Sequence, residues 1–329
     1  MLPIAMTTGA SGFILYHYVP SLHRFGPVLS ETIGFLQPAL IFAMLFLTFC
    51  RIEPRDLKPH RWHWWLILIQ GSAFTVLGLL AASLVRLLPS DSHDWVVLIE
   101  SAMLCLICPT ATAAAVVTRK LGGDVAGITT YTILINLVVA ILVPSIVPLI
   151  HPIGSSGFWV SFSLILSKVF PLLIMPCLAA WLVRYLFPKL HRWLLKFPDL
   201  AFYLWAVALT LAIAVTTKSI FASQLSGTLL LLMALISLVC CVIQFALGRY
   251  VGRCYRPRRL PSCHPERQRR ISSSNIREIT AGQALGQKNT VFAIWLGYTF
   301  MTPETAIVGG LYSIWHNVYN SWQLYRAGK

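Results

Sequence analysis

Apolar residues run along this chain in blocks of about 20 to 25, broken by clusters of charge, proline and glycine, and that block length is what an α-helix needs to cross a bilayer. Alternation with a period of two is absent, so the pattern predicts helices and not a membrane β-barrel. Ten spans are predicted, over residues 2–19, 33–50, 64–87, 95–118, 128–150, 158–186, 199–217, 227–251, 279–299 and 303–325. The fold class expected is therefore an all-α polytopic membrane protein. Two of the ten spans break the apolar pattern. The fourth carries Cys108-Pro-Thr-Ala-Thr-Ala-Ala-Ala115, where Pro109 removes a backbone donor and breaks the helix. The ninth carries Ala281-Gly-Gln-Ala-Leu-Gly-Gln-Lys-Asn-Thr290, with Gly286 as its break and Gln283, Gln287, Lys288 and Asn289 at a depth where polar groups need a reason.

Composition sharpens this picture: 57% of residues are hydrophobic, 11% are charged and the mean hydropathy is +0.72, which excludes a soluble protein of this length. The net charge of +15 does not point to nucleic acid once the basic residues are placed. Arg51 to Arg61, Arg119 and Lys120, Arg184 to Lys196, Arg249 to Arg277, and Arg326 with Lys329 all fall on one side, whereas Arg24, Arg86 and Lys218 fall on the other. Lys168 and Lys288 lie inside spans. The asymmetry places both termini in the cytoplasm and the chain in the cell (inner) membrane. The first apolar segment has no basic n-region and no A-x-A site after it, so it is expected as a shortened first helix and not a cleaved signal. The long connection at 252–278 is basic and serine-rich. Contact with anionic headgroups or a cytosolic partner and a plain disordered connector are both open readings of it. Most of the eight cysteines fall in spans. Cys105-Leu-Ile-Cys108 has no second pair and no neighbouring histidine, so neither a metal nor a cofactor is expected.

Five spans precede the turn at 151–157 and five follow it, and an odd number per half requires inverted halves. The domain reading is thus a first repeat at 1–150 and a second at 151–329, with discontinuous helices 4 and 9 crossing. Matched interrupted helices in inverted halves mark a transport site. The alternative, a helix–helix hydrogen-bond patch that only holds the bundle together, explains one amide more readily than four polar residues around a lysine.

At these positions the chain resembles the bile acid:sodium symporter family over nearly its whole length. The resemblance rests on Pro38-Ala-Leu-Ile-Phe-Ala-Met44, on Cys108-Pro-x-x-Thr112-Ala113 with Thr118 and Gly123-Asp-Val-Ala126, on Gly286-x-x-Asn289, and on Ser313-Ile-Trp-His-Asn317. It implies a panel of spans 1, 2, 6 and 7 moving against a core of spans 3, 4, 5, 8, 9 and 10, an organic anion as substrate, and sodium beside the crossover. It assigns substrate contacts to Thr112, Asn289, His316 and Asn317. The sodium sites are degenerate: Ala114, Ala115, Ile128 and Ala284 stand where the family has oxygen-bearing side chains, only Gln70 and Thr132 survive, and Lys288 stands where the family has a glutamine. A hard cation wants several oxygens and is repelled by an ammonium. Gln70, Thr132, Gln287 and Lys288 are accordingly the coupling or cation-mimic candidates. The function expected is secondary transport of a bile-acid-like anion or a smaller carboxylate or sulfate, without the usual sodium coupling. The partners expected are that anion and membrane lipids, with no nucleic acid; sodium is not expected, and a proton remains open. A membrane receptor or regulator that kept the fold, and a symporter still coupled to sodium, are the alternatives. Enzyme motifs such as Gly-x-Ser-x-Gly or His-Glu-x-x-His do not occur.

Overall fold

The computed structural model describes residues 2–87, 93–154, 157–197, 199–223, 225–255 and 273–327. Its helices in chain order are α1 (Leu2–Tyr18), α2 (Gly26–Cys50), α3 (Arg61–Leu87), α4 (His93–Ile107), α5 (Ala113–Lys120), α6 (Val125–Ile150), α7 (Phe158–Leu173), α8 (Met175–Leu186), α9 (Pro188–Leu194), α10 (Leu200–Ala222), α11 (Gly227–Cys254), α12 (Ser273–Gly286), α13 (Thr290–Phe300) and α14 (Pro303–Ala327). Among the described residues, six stretches are long and apolar enough to cross a membrane: Pro20–Cys50, Arg61–Leu87, Val125–Ile150, Phe158–Leu186, Leu200–Ala222 and Gly227–Cys254. The protein is a helical, multi-pass membrane protein.

Local chemistry explains several helix ends. The Asp124 carboxylate accepts from the Gly127 amide at 3.0 Å and starts α6, and the Ser226 hydroxyl caps α11 through Leu229. Gly122, at φ 78°, allows the reversal between α5 and α6. Pro144 and Pro148 sit inside α6, where a spanning helix tolerates them because neighbours re-satisfy the freed carbonyls.

The structure departs from the predicted spans in several places: α2 begins at Gly26 and not at 33, and α10 runs to Ala222 and not to 217. The sixth is two helices, α7 and α8, meeting at Ile174 between Pro171 and Pro176, each of which removes one backbone donor. A short basic helix, α9, follows it. The predicted loop at 252–278 is narrower, because α11 runs on to Cys254 and α12 begins at Ser273; the arginine-rich stretch between them, with Cys263, lies outside the described residues.

The helices associate in two groups. In one, α10 packs on α1 and α2, and α2 on α8 and α7. In the other, α3 packs on α4 and α6, α11 on α12, α4 and α14, and α13 on α14. The groups meet where α2 and α10 touch α13, where α10 touches α14, and where α6 leads into α7. Both draw on one buried apolar cluster, while Phe35, Trp64, Leu182 and Val242 are among many large apolar side chains exposed on the outside, as a lipid-facing surface requires.

Candidate functional site

Two unwound segments, 108–112 between α4 and α5 and 287–289 between α12 and α13, meet as the predicted broken helices. They pair backbone to backbone: the Ala111 amide donates to the Gln287 carbonyl at 2.9 Å, and the Asn289 amide to the Pro109 carbonyl at 2.8 Å, an isolated antiparallel bridge centred on Thr110 and Lys288. Pro109 has no amide hydrogen to place, and its carbonyl serves as an acceptor here. Gly286 ends α12 against the Phe245 ring, which a β-carbon at that position would overlap.

Each half-helix ending at this bridge leaves carbonyls without intrahelical partners, and side chains take them. Gln70 Nε2 donates to the carbonyls of Ile107 and Cys108 at 3.0 and 3.1 Å, and Lys288 Nζ to that of Leu106 at 3.0 Å. Gln244 Nε2 donates to the Cys105 carbonyl at 3.2 Å. On α12, Thr110 Oγ1 donates to the Ala284 carbonyl and Tyr312 Oη to the Gly286 carbonyl, both at 2.8 Å. Lys288 is 1% exposed, and no carboxylate among the described residues pairs with it. It sits at the carboxyl end of α4, where a helix dipole favours a cation.

The sequence candidates divide around this bridge. Thr112, Gln287 and Asn317 line a cavity of about 570 Å³ that also takes in Asn320 and Ser321. Asn289 is not among its lining residues; its Oδ1 accepts from the Phe292 amide to cap α13, and its Nδ2 has no partner. His316 is buried, its ring edge-on to Tyr312 at 5.6 Å and its Nδ1 unpartnered. Asn317 Nδ2 donates to the Ser313 carbonyl one turn back. Gln70 Oε1 accepts from Tyr131, and Thr132 Oγ1 donates to the Ile128 carbonyl. Thus the cavity gathers Thr112, Gln287 and Asn317, while Lys288, Gln70, Asn289 and His316 belong to the packing around the bridge.

The mouth of the cavity is basic. Arg51, Arg119 and Lys120 line it with Asp199. Burial, and after it the nearby Arg119 charge, push the Arg51 guanidinium below its ordinary pKa, while Asp199 acts the other way. Arg51 also donates to the Phe197 carbonyl at 2.8 Å. The N-terminal turn of α5 forms part of the wall, and Thr112 makes no side-chain cap there, so that positive helix end is free to face an anion.

The family model of the SBF-like CPA transporter family matches residues 10–327. The chain belongs to that family. It is a family of the bile acid:sodium symporter type, so this is a membrane transporter. A comparison with curated proteins gives no match. Sequence reasoning missed Tyr312, Gln244, Thr110 and Asn320. Tyr312 was within reach, since it stands four residues before His316 and therefore on the same helical face.

Proposed function

We propose that this transporter carries an organic anion through the cavity at the bridge, by movement of a panel of α1, α2 and α7–α10 against a core of α3–α6 and α11–α14. The observation that carries this reading is the cavity itself: it lies between the two groups, reaches Thr112, Gln287 and Asn317 at its inner end, and has three cationic side chains at its mouth. An anion entering there passes guanidinium groups and ends at the start of α5.

The helix contacts support two inverted repeats. If spans 1–5 are matched with 6–10, the α1–α10 pairing answers α2–α8, α3–α4 answers α11–α12, α3–α6 answers α11–α14, and α5–α6 answers α13–α14. The match fails at the panel–core interface. There α13 touches α2 and α10, whereas α5 makes no comparable contact with either, and the gap beside α5 is the cavity. With the basic side in the cytoplasm, both termini are cytoplasmic and the cavity opens inward.

Coupling to sodium at the family's sites is not part of this reading, because the carbonyl oxygens at the end of α4 are engaged and several family oxygens are missing. Lys288, Gln70 and Gln244 hold the carbonyl end of α4, and Ala114, Ile128 and Ala284 are buried without side-chain oxygen. Lys288 acts as a resident cation at the bridge. Uptake of labelled taurocholate and of smaller carboxylates and sulfates into proteoliposomes, with sodium, potassium or proton gradients, tests all three parts. Anion uptake indifferent to sodium is expected; sodium-driven uptake, or stabilisation of the purified protein by millimolar sodium but not potassium, overturns the coupling reading. Lys288→Met keeps the length of the side chain and leaves the Leu106 carbonyl unpaired, a loss of about 1–3 kcal/mol; uptake should fall with it, and wild-type uptake in this variant would remove Lys288 from the mechanism.

A further inference from the structure

The interface between the two helix groups holds a second cavity, of about 480 Å³, among whose lining residues are Gln37, Lys168, Lys218, Trp295 and Tyr298, with Ser30 at its edge. It shares α2 and α10 with the first cavity but uses their other ends: Gly34 against Thr48 on α2, and Val215 against Trp205 on α10. At 1.5 Å per residue those positions are about 15–20 Å apart along the helices. At the level of the second cavity Gly310 of α14 packs on Thr216 of α10, next to the lining residue Val215, so closely that an added β-carbon would lie 2.6 Å from a Thr216 methyl.

Three observations give this second cavity a chemistry. Lys168 lies well inside the apolar stretch Phe158–Leu186, about 15 Å from its start, and an ammonium at such depth needs water or a counter-charge. Lys218 lines the same space, and among the described residues no carboxylate lines it and neither lysine belongs to an ion pair. Gln37 is 5% exposed, and its Nε2 has no hydrogen-bond partner, so a buried donor is left over beside two cations. Trp295 and Tyr298 add aromatic surface on the α13 side.

We propose that this cavity is a second organic-anion site, distinct from the one at the bridge. A carboxylate, sulfate or sulfonate group sits between the Lys168 and Lys218 ammonium groups and accepts from the Gln37 amide, and the apolar body of the ligand lies on Trp295 and Tyr298. The site goes beyond the transport reading and does not depend on which end of the interface faces the cytoplasm.

The test uses full-length protein in nanodiscs, which expose both faces, with Cys254 and Cys263 replaced by Ser. Ser30→Cys is labelled with a maleimide in the presence of 2-naphthalenesulfonate or of the neutral 2-naphthalenemethanol. The sulfonate should slow labelling roughly fivefold or more when its concentration is well above Kd, and the alcohol should not. In Lys168→Gln/Lys218→Gln the protection should vanish, with the unliganded labelling rate and the melting temperature near those of the parent, and Lys168→Arg/Lys218→Arg should restore it. Equal protection by the alcohol, protection that survives in the glutamine variant, or no protection at all overturns the site. Ser321→Cys reports the first cavity in parallel, so protection there without protection at Ser30→Cys would leave the transport reading standing and remove this one.

Discussion

Lys288 and Glu100 are wholly enclosed ionisable side chains, and each is held by a different solution to the same physical problem. The lysine finds the carboxyl end of a helix. Glu100, 0% exposed, pairs through Oε1 with His151 Nε2 at 2.5 Å and accepts through Oε2 from Thr305 Oγ1 at 2.8 Å. It joins α4, the end of α6 and the start of α14, three helices of the same group. Glu100→Leu strands both His151 and Thr305, and a buried polar partner left alone costs on the order of 2–4 kcal/mol. Thermal unfolding in detergent should show this loss, and Thr305→Val should show less, since the histidine pairing survives. An unchanged melting temperature for Glu100→Leu would mean that the cluster contributes nothing to stability.

At the scale of elements, the broken helices depend on neighbours that supply the bonds their breaks give up. Gln70 serves three groups at once, with two carbonyls of the α4 end on its nitrogen and the Tyr131 hydroxyl on its oxygen. Gln70→Leu should therefore destabilise by roughly 3 kcal/mol, and Tyr131→Phe by about 1, because the first strands three buried partners and the second only one lone pair. Equal effects in the two variants would contradict the cap. Asn289 does a related service at the start of α13. Asn289→Ala should cost about 1 kcal/mol as a lost N-cap and should also weaken uptake while expression stays near normal. An unchanged apparent affinity would leave Asn289 as a cap alone. Proline and glycine made the two breaks legible in the sequence. The donors that repair them were not legible, because Gln70, Gln244 and Tyr312 come from helices distant in the chain, and nothing in a local pattern says which amide will face which carbonyl.

On the scale of the whole molecule, the contact of Gly310 with Thr216 joins the two helix groups at the level of the second cavity, so relative motion of the groups must disturb it. Gly310→Val wedges that contact. Uptake should fall severalfold, and Thr216→Ala in the same chain should recover part of it, as residues sharing one contact are coupled. Additive losses in the double variant would place the defect elsewhere. The sequence by itself determined that this chain is helical and embedded in a membrane, where its interrupted spans fall, and, through Cys108-Pro, Gly286-x-x-Asn289 and Trp-His-Asn, which family it belongs to. Those features are local: apolar run length, a missing amide hydrogen, a short motif. Only the tertiary structure decided that Thr112, Gln287 and Asn317 share a cavity while Asn289 and His316 do not line it. It also decided that the sixth span bends at Ile174, and that Lys168 and Lys218 line one space. Those outcomes depend on how each helix is rotated about its axis, and that rotation is set by packing against partners that the linear order of residues does not name.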